Sequence, residues 1–81
     1  MNILITGGAS GLGEAITRAL AANSTDNIFF TYNKSVDKAA SLEKEFSNAK
    51  GIQCDFLKQK SIKNLFWLLY SLKIYKTHSP N

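Results

Sequence analysis

The stretch "TGGASGLG", Thr6 to Gly13, stands between an apolar "NILI" and the segment "EAITRAL". A short, continuous apolar run such as Asn2–Thr6 is the pattern of a strand buried on both faces of a parallel sheet. Beyond the glycines, Leu12, Ala15, Ile16, Ala19 and Leu20 fall on the i, i+3, i+4, i+7, i+8 stripe of an amphipathic helix. A strand thus hands over to a helix through glycines and small polar residues. Such a turn gathers backbone N–H groups and the positive end of a helix dipole at one spot, which suits a phosphate. Glycine serves there because a Cβ obstructs a tight turn and holds an anion away from the backbone.

Working outward, "NIFFTYN" (Asn27–Asn33) is aromatic and β-rich, a second strand. Ser35 is placed to cap a helix with the stripe Val36, Ala39, Leu42 and Phe46, and Asp37 falls in its first turn. "NAKG" ends that helix, "GIQCDF" reads as a third strand, and a last helical pattern runs through Ile62, Leu65, Phe66, Leu69 and Leu72. The alternation predicts an α/β, Rossmann-like fold: a partial doubly wound parallel sheet of three strands with three helices. Right-handed crossovers dictate the strand order 3-2-1, with the first two helices on one face and the third on the other. Asn2–Thr6 is then an exposed edge, expected to make the chain marginally stable and prone to self-association.

Composition bounds the function. Eighty-one residues, 44% of them apolar, allow one small globular domain. No apolar run reaches the ~18–20 residues of a membrane span. The start lacks the basic region of a secretory signal, so the cytoplasm is the expected compartment. A lone Cys54 gives neither a disulfide framework nor metal-ligand spacing. The net charge of +4 is uneven: up to Leu57 five basic residues face six acidic ones, while Lys58, Lys60, Lys63, Lys73 and Lys76 follow without an acid. A solvated basic face accounts for that run, and no nucleic-acid partner is expected from it.

Two phosphate-loop templates fail. No Gly-Lys-Ser/Thr follows the second glycine, and Ile16 stands where G-x-G-x-x-G needs its last glycine. Thr-Gly-x-x-x-Gly-x-Gly does fit, through Thr6, Gly7, Gly11 and Gly13. With "QCDF" after the third strand, the first 57 residues or so resemble the N-terminal half of the classical short-chain dehydrogenase/reductase family. The resemblance implies an NAD(P)-binding half-domain over 1–57, followed by a helix and divergent basic tail over 58–81. It implies that Gly7, Ser10, Gly11, Leu12 and Gly13 line a pyrophosphate and that Thr6 helps fix the loop. Asp55 would accept a hydrogen bond from the adenine amino group, with Cys54 and Phe56 bordering the ring. Independently of any ligand, Cys54 reads as a buried strand residue and Asp55 as a helix N-cap.

Cofactor choice rests on "TYNKS". An NAD site wants a carboxylate at the end of the second strand, and an NADP site must not repel the 2′-phosphate. Tyr32, Asn33, Lys34 and Ser35 offer no acid, and Lys34 brings positive charge, so NADP is expected over NAD.

The family's catalytic motifs are not met. The residues four after Tyr32, Tyr70 and Tyr75 are Val36, Ile74 and Ser79, so no Tyr-x-x-x-Lys occurs. Tyr70 and Lys73 form only an i, i+3 pair, and His78 is given no role. No catalytic or metal-binding residue is therefore assigned. A premature stop or frameshift beyond about Phe66 would explain both the missing motifs and the basic "WLLYSLKIYKTHSPN". Two other readings remain: a small nucleotide-binding or protein-interaction module without redox activity, and a peripheral membrane element using Phe66, Trp67, Leu69 and Tyr70 with lysines at its rim.

Overall fold

In the computed structural model, which describes residues 2–71 and 77–78, β1 (Asn2–Ile5) lies inside a parallel sheet. β2 (Asn27–Tyr32) flanks it on one side, with Asn2 opposite Asn27 and Ile5 opposite Phe30. β3 (Ala49–Gln53) flanks β2, from Ile28 opposite Ala49 to Tyr32 opposite Gln53. The order 3-2-1 is the one that the crossover argument predicts. The exposed edge is not. A two-residue strand, β4 (Thr77–His78), pairs with Leu4 and Ile5 and completes the order β3-β2-β1-β4. It takes up backbone groups of β1 that face away from β2, which otherwise invite another chain.

Successive strand residues point to opposite faces. Ile3, Ile5, Ile28 and Phe30 share one face, and α1 (Gly11–Asn23) and α2 (Val36–Glu45) pack over it. Ala9, Ala21, Ala39, Leu42 and Ala49 close this core. Phe30, Leu4, Ile5, Ile28 and Leu42 are all fully buried, each stabilising by about 1.5–3 kcal/mol relative to exposure.

Four local expectations are corrected. In α1, Ile16 and Leu20 of the predicted stripe do pack against the core, but Gly13, Thr17 and Ala21 are the buried residues, and Leu12, Ala15 and Ala19 face outward. The tight turn lowers the helix onto the loop at Gly13, so the inner line runs through that glycine and not through Leu12. Ser35 stands at the N-cap of α2 but makes no side-chain cap bond. Its φ of −82° and ψ of 55°, with Val36 N donating to Lys34 O at 2.9 Å, form an inverse γ-turn, unlike the extended geometry of a capping residue. "NAKG" is not simply a break, because Ala49, Lys50 and Gly51 lie in β3. Gly51 faces Phe30, and a Cβ there would come within 2.9 Å of Tyr32 Cε1 and 3.1 Å of the Phe30 ring. Its bareness lets the aromatic side chains lean across the sheet. Finally, α3 (Gln59–Ser71) starts four residues after Asp55, which is therefore not its N-cap.

The pattern read for α3 holds in part. Leu65 is buried and Ile62 half-buried, but Phe66 is exposed; the Leu69 side chain and Leu72 lie outside the described residues.

Two side-chain arrangements fasten the helices. Asn48 Nδ2 donates to the carbonyls of Ala21, Ser24 and Asp26 at 3.1, 3.2 and 3.0 Å, which holds the chain as it leaves α1 for β2. On the outer surface, Glu14 meets Arg18 at 3.0 Å and Lys38 at 3.2 Å, and Arg18 also pairs with Glu45, so charges join α1 to α2.

Candidate functional site

Leaving β1, the chain turns sharply. Gly7 and Gly11 have φ of 64° and 53°, the left-handed region that glycine adopts at little cost. Gly13 is bare for another reason: a Cβ there would lie 2.0 Å from Gly7 O. Helix backbone meets loop backbone with no room for a methyl group. At Gly8 a Cβ would stand 2.4 Å from Phe30 Cβ and 2.8 Å from Thr17 Oγ1. The buried Thr17 hydroxyl donates to Gly13 O at 2.8 Å. Thr31, at the end of β2, accepts twice, from Gly7 N to its Oγ1 at 2.9 Å and from Gly8 N to its carbonyl at 3.0 Å.

Ser10 is the N-cap of α1 with φ −147° and ψ 148°, and its hydroxyl makes no capping bond. Its carbonyl accepts from Glu14 N at 3.2 Å. The first amides of any α-helix have no partner within the helix. Those of α1 therefore gather beside a serine hydroxyl that is not spent on capping them.

This turn opens on a cleft of about 290 Å³, near the lower end of the roughly 300–1,000 Å³ of small-molecule sites. The loop contributes Gly7, Ala9 and Ser10 to its wall. The end of β2 contributes Thr31, Tyr32, Asn33, Lys34 and Ser35, and the chain after β3 contributes Cys54 and Phe56. All three segments leave carboxyl ends of parallel strands, the place where open α/β sheets bind ligands. Lys34 is the one ionised side chain among the described residues of this wall. Tyr32 O accepts from Cys54 N at 2.8 Å, and Gln53 Nε2 donates to Asn33 O at 3.1 Å, so the strand ends are laced together.

Of the residues singled out in the sequence, Gly7, Ser10, Tyr32, Asn33, Lys34, Ser35, Cys54 and Phe56 meet on this wall. Thr6, Gly11, Leu12, Gly13 and Asp55 are not on it. Thr6 is half-buried at the end of β1, Gly13 is buried beneath the loop, and Leu12 is 62% exposed. Asp55 Oδ1 accepts from Leu57 N at 2.9 Å, an Asx turn that shapes the entry to α3. Cys54 is buried, and burial first, then the Asp55 charge, pushes its thiol above the ordinary value; it is protonated at neutral pH. Tyr70 is 82% exposed on α3, and Lys73 lies outside the described residues.

Sequence reasoning missed Ala9, Thr17 and Thr31. Thr31 had a signal. With strands starting at Asn2 and Asn27 in parallel register, Thr31 falls level with the residue that follows β1.

Among the described residues no cluster of His, Cys, Asp and Glu could hold a metal ion, and no helix is long and apolar enough to cross a membrane. A half-sheet of this strand order with a glycine-rich first strand-to-helix turn is a partial Rossmann-like α/β fold. The chain belongs to the short-chain dehydrogenase family, whose model, described as short chain dehydrogenase, matches residues 1–69. It is similar to BdcA (YjgI) from E. coli at 31% identity and a TM-score of 0.68, covering 79% of this chain and 33% of that one. A double-mutant short-chain dehydrogenase/reductase from Serratia marcescens shares the fold, with a TM-score of 0.72 at 23% identity over 88% of this chain and 30% of that one. The chain thus spans about a third of the length of these structures. No curated protein sequence matches it.

Proposed function

We propose that this chain is the NADP-binding N-terminal segment of a short-chain dehydrogenase/reductase and that by itself it transfers no hydride at an enzyme-like rate. The observation that carries the reading is the wall at the end of β2, where Lys34 supplies the only ionised side chain among the described lining residues. A lysine beside a 2′-phosphate is a charge-assisted contact, whereas a carboxylate there would repel it. The cradle fits a pyrophosphate: Gly13 and Gly7 leave no Cβ between loop and helix, and Ser10 keeps its hydroxyl uncapped at the start of α1. In this reading Gly7, Ser10, Gly11, Leu12 and Gly13 line the pyrophosphate, and Thr6 supports the loop. Tyr32, Asn33, Lys34 and Ser35 meet the 2′-phosphorylated ribose, while Asp55 and Phe56 face the adenine.

The bound cofactor would supply the hydride. Protonating a substrate oxygen requires a positioned acid, worth about 10²–10⁴-fold, and these 81 residues contain no Tyr-x-x-x-Lys.

Calorimetric titration of the whole chain with NADPH and NADH tests the reading. NADPH binds more tightly, and Lys34→Asp reverses the order. Tighter binding of NADH to the unaltered chain, or robust ketone or aldehyde reduction that Tyr70→Phe abolishes, would overturn it. One observation favours an interaction module instead: Phe66, Trp67 and Tyr70 are 65%, 69% and 82% exposed on α3. That reading expects neither nucleotide to bind.

A further inference from the structure

We infer that Thr31 positions the phosphate loop, and that its hydroxyl sets the affinity for the pyrophosphate common to both dinucleotides; this rests on the cofactor reading above. Regular pairing between β1 and β2 stops at Ile5 opposite Phe30. Past that point the chain leaves the sheet, and the amides of Gly7 and Gly8 lie beyond the regular ladder partners. Thr31 replaces them, taking Gly8 N on its carbonyl and Gly7 N on its side-chain oxygen. The residue is 1% exposed yet forms part of the cleft wall, so the anchor stands between core and ligand.

The consequence is a division of labour among the loop amides. Those of Gly7 and Gly8 are tied back to β2, and the ones left to meet an anion begin at Ala9 and run into the first turn of α1. Gly7 has φ 64° and open space on its Cβ side; its carbonyl packs against Gly13, and its amide is held by the Thr31 hydroxyl. Thr31 is also three residues before Lys34. One strand end therefore carries both the anchor of the phosphate loop and the charge proposed for the 2′-phosphate, which fixes the distance between the two halves of the site.

The test compares Thr31→Val, which keeps the shape and removes the acceptor, with Thr31→Ser, which keeps the acceptor. Dissociation constants for NADPH and NADH are measured on the whole chain, together with hydrogen exchange at the Gly7 and Gly8 amides by NMR. Thr31→Val weakens both nucleotides by the same factor, about five- to tenfold for the loss of one partly buried hydrogen bond. Thr31→Ser restores both. Gly7 exchange speeds up in the valine variant while Gly8, bonded to backbone, stays slow. Lys34→Ala, by contrast, weakens NADPH alone. Where valine unfolds the chain, Thr31→Cys, with a weakly accepting thiol, takes its place with the same expected order. Unchanged affinities in the valine or cysteine variant, or a serine variant as weak as either, would overturn the role of Thr31 while leaving the cofactor reading intact. An unaltered chain that binds neither nucleotide overturns both.

Discussion

At the β1–α1 turn, backbone approaches backbone so closely that a methyl group on Gly13 would stand 2.0 Å from Gly7 O. On α3, by contrast, Trp67 and Tyr70 are 69% and 82% exposed. The turn is poor in side chains but is held at three of its glycines, by Thr31 at Gly7 and Gly8 and by Thr17 at Gly13. The helix is rich in large side chains, yet its described anchors are few: the buried Leu65, and the Cys54 thiol within 3.8 Å of Ser61 O. Apolar content is therefore a poor guide to which region the fold depends on. What counts is how many neighbours a substitution has to displace.

The largest effect is expected where displacement is impossible. Gly13→Ala should cost more than about 3 kcal/mol, beyond the usual range for overpacking, because the opposing atoms are backbone. Gly7→Ala meets no atom within 4 Å and should cost only about 1–2 kcal/mol, for a non-glycine residue at positive φ. Urea denaturation of the two variants measures the difference, and equal costs would break the contrast between sterics and backbone conformation.

Next comes the inner line of α3. Leu65→Ala should destabilise by about 2–4 kcal/mol as a buried large-to-small change. Trp67→Ser, at a side chain 69% exposed on the same helix, should stay within about 0.5 kcal/mol. A Trp67→Ser loss as large as that of Leu65→Ala would show that the aromatic face is covered in solution. Between these lies Asn48→Ala, which removes three bonds to the α1–β2 connection. It should cost about 1–3 kcal/mol, since it strips donors from partly buried carbonyls, and should speed amide exchange near Ser24 while leaving the Gly7–Gly13 loop unchanged.

The smallest expected effect is electrostatic. Hydrogen bonds from Arg18 and then Lys38 hold the Glu14 carboxyl below its ordinary value of 4.5. A carboxylate whose folded value is depressed stabilises the fold above its unfolded value and loses that contribution as pH falls through the folded one. Glu14→Gln should therefore flatten the decline in stability below about pH 4.5 and change little at neutral pH. Added salt should weaken the wild-type advantage, because the cluster is exposed.

How far the sequence carries depends on which physics a residue answers to. The strand order and the helices over β1 and β2 follow from period and handedness, and so could be read from "NILI", "NIFFTY" and the spacing between them. The glycine turn was legible because its chemistry demands a residue type. Thr31 was harder, since its role exists only once β1 and β2 are set in register. The inner face of α1 was misread for a similar reason: hydropathy favours Leu12 as a core residue, and only the approach of Gly13 to Gly7 turns it outward. Gly51 shows the same limit. As punctuation it ends a helix, but in the sheet it makes room for the rings of Phe30 and Tyr32, 6.3 Å apart. Exposure of Phe66 and Trp67 runs against their composition altogether, and a periodicity argument assigns a face without showing what packs on it.

The position of β4 bears on when the fold can be completed. Leu4 pairs with Thr77, and these are 77 − 4 = 73 positions apart. A ribosome adding about 5–20 residues per second needs roughly 4–15 s to cover that interval. β2, beginning at Asn27, reaches β1 far sooner. β1 is thus ladder-bonded along one side early and along the other only after the segment up to Thr77 and His78 has emerged. During those seconds the open side of "NILI" offers unpaired amides to any neighbouring nascent chain, and the interval shortens or lengthens with the speed of translation.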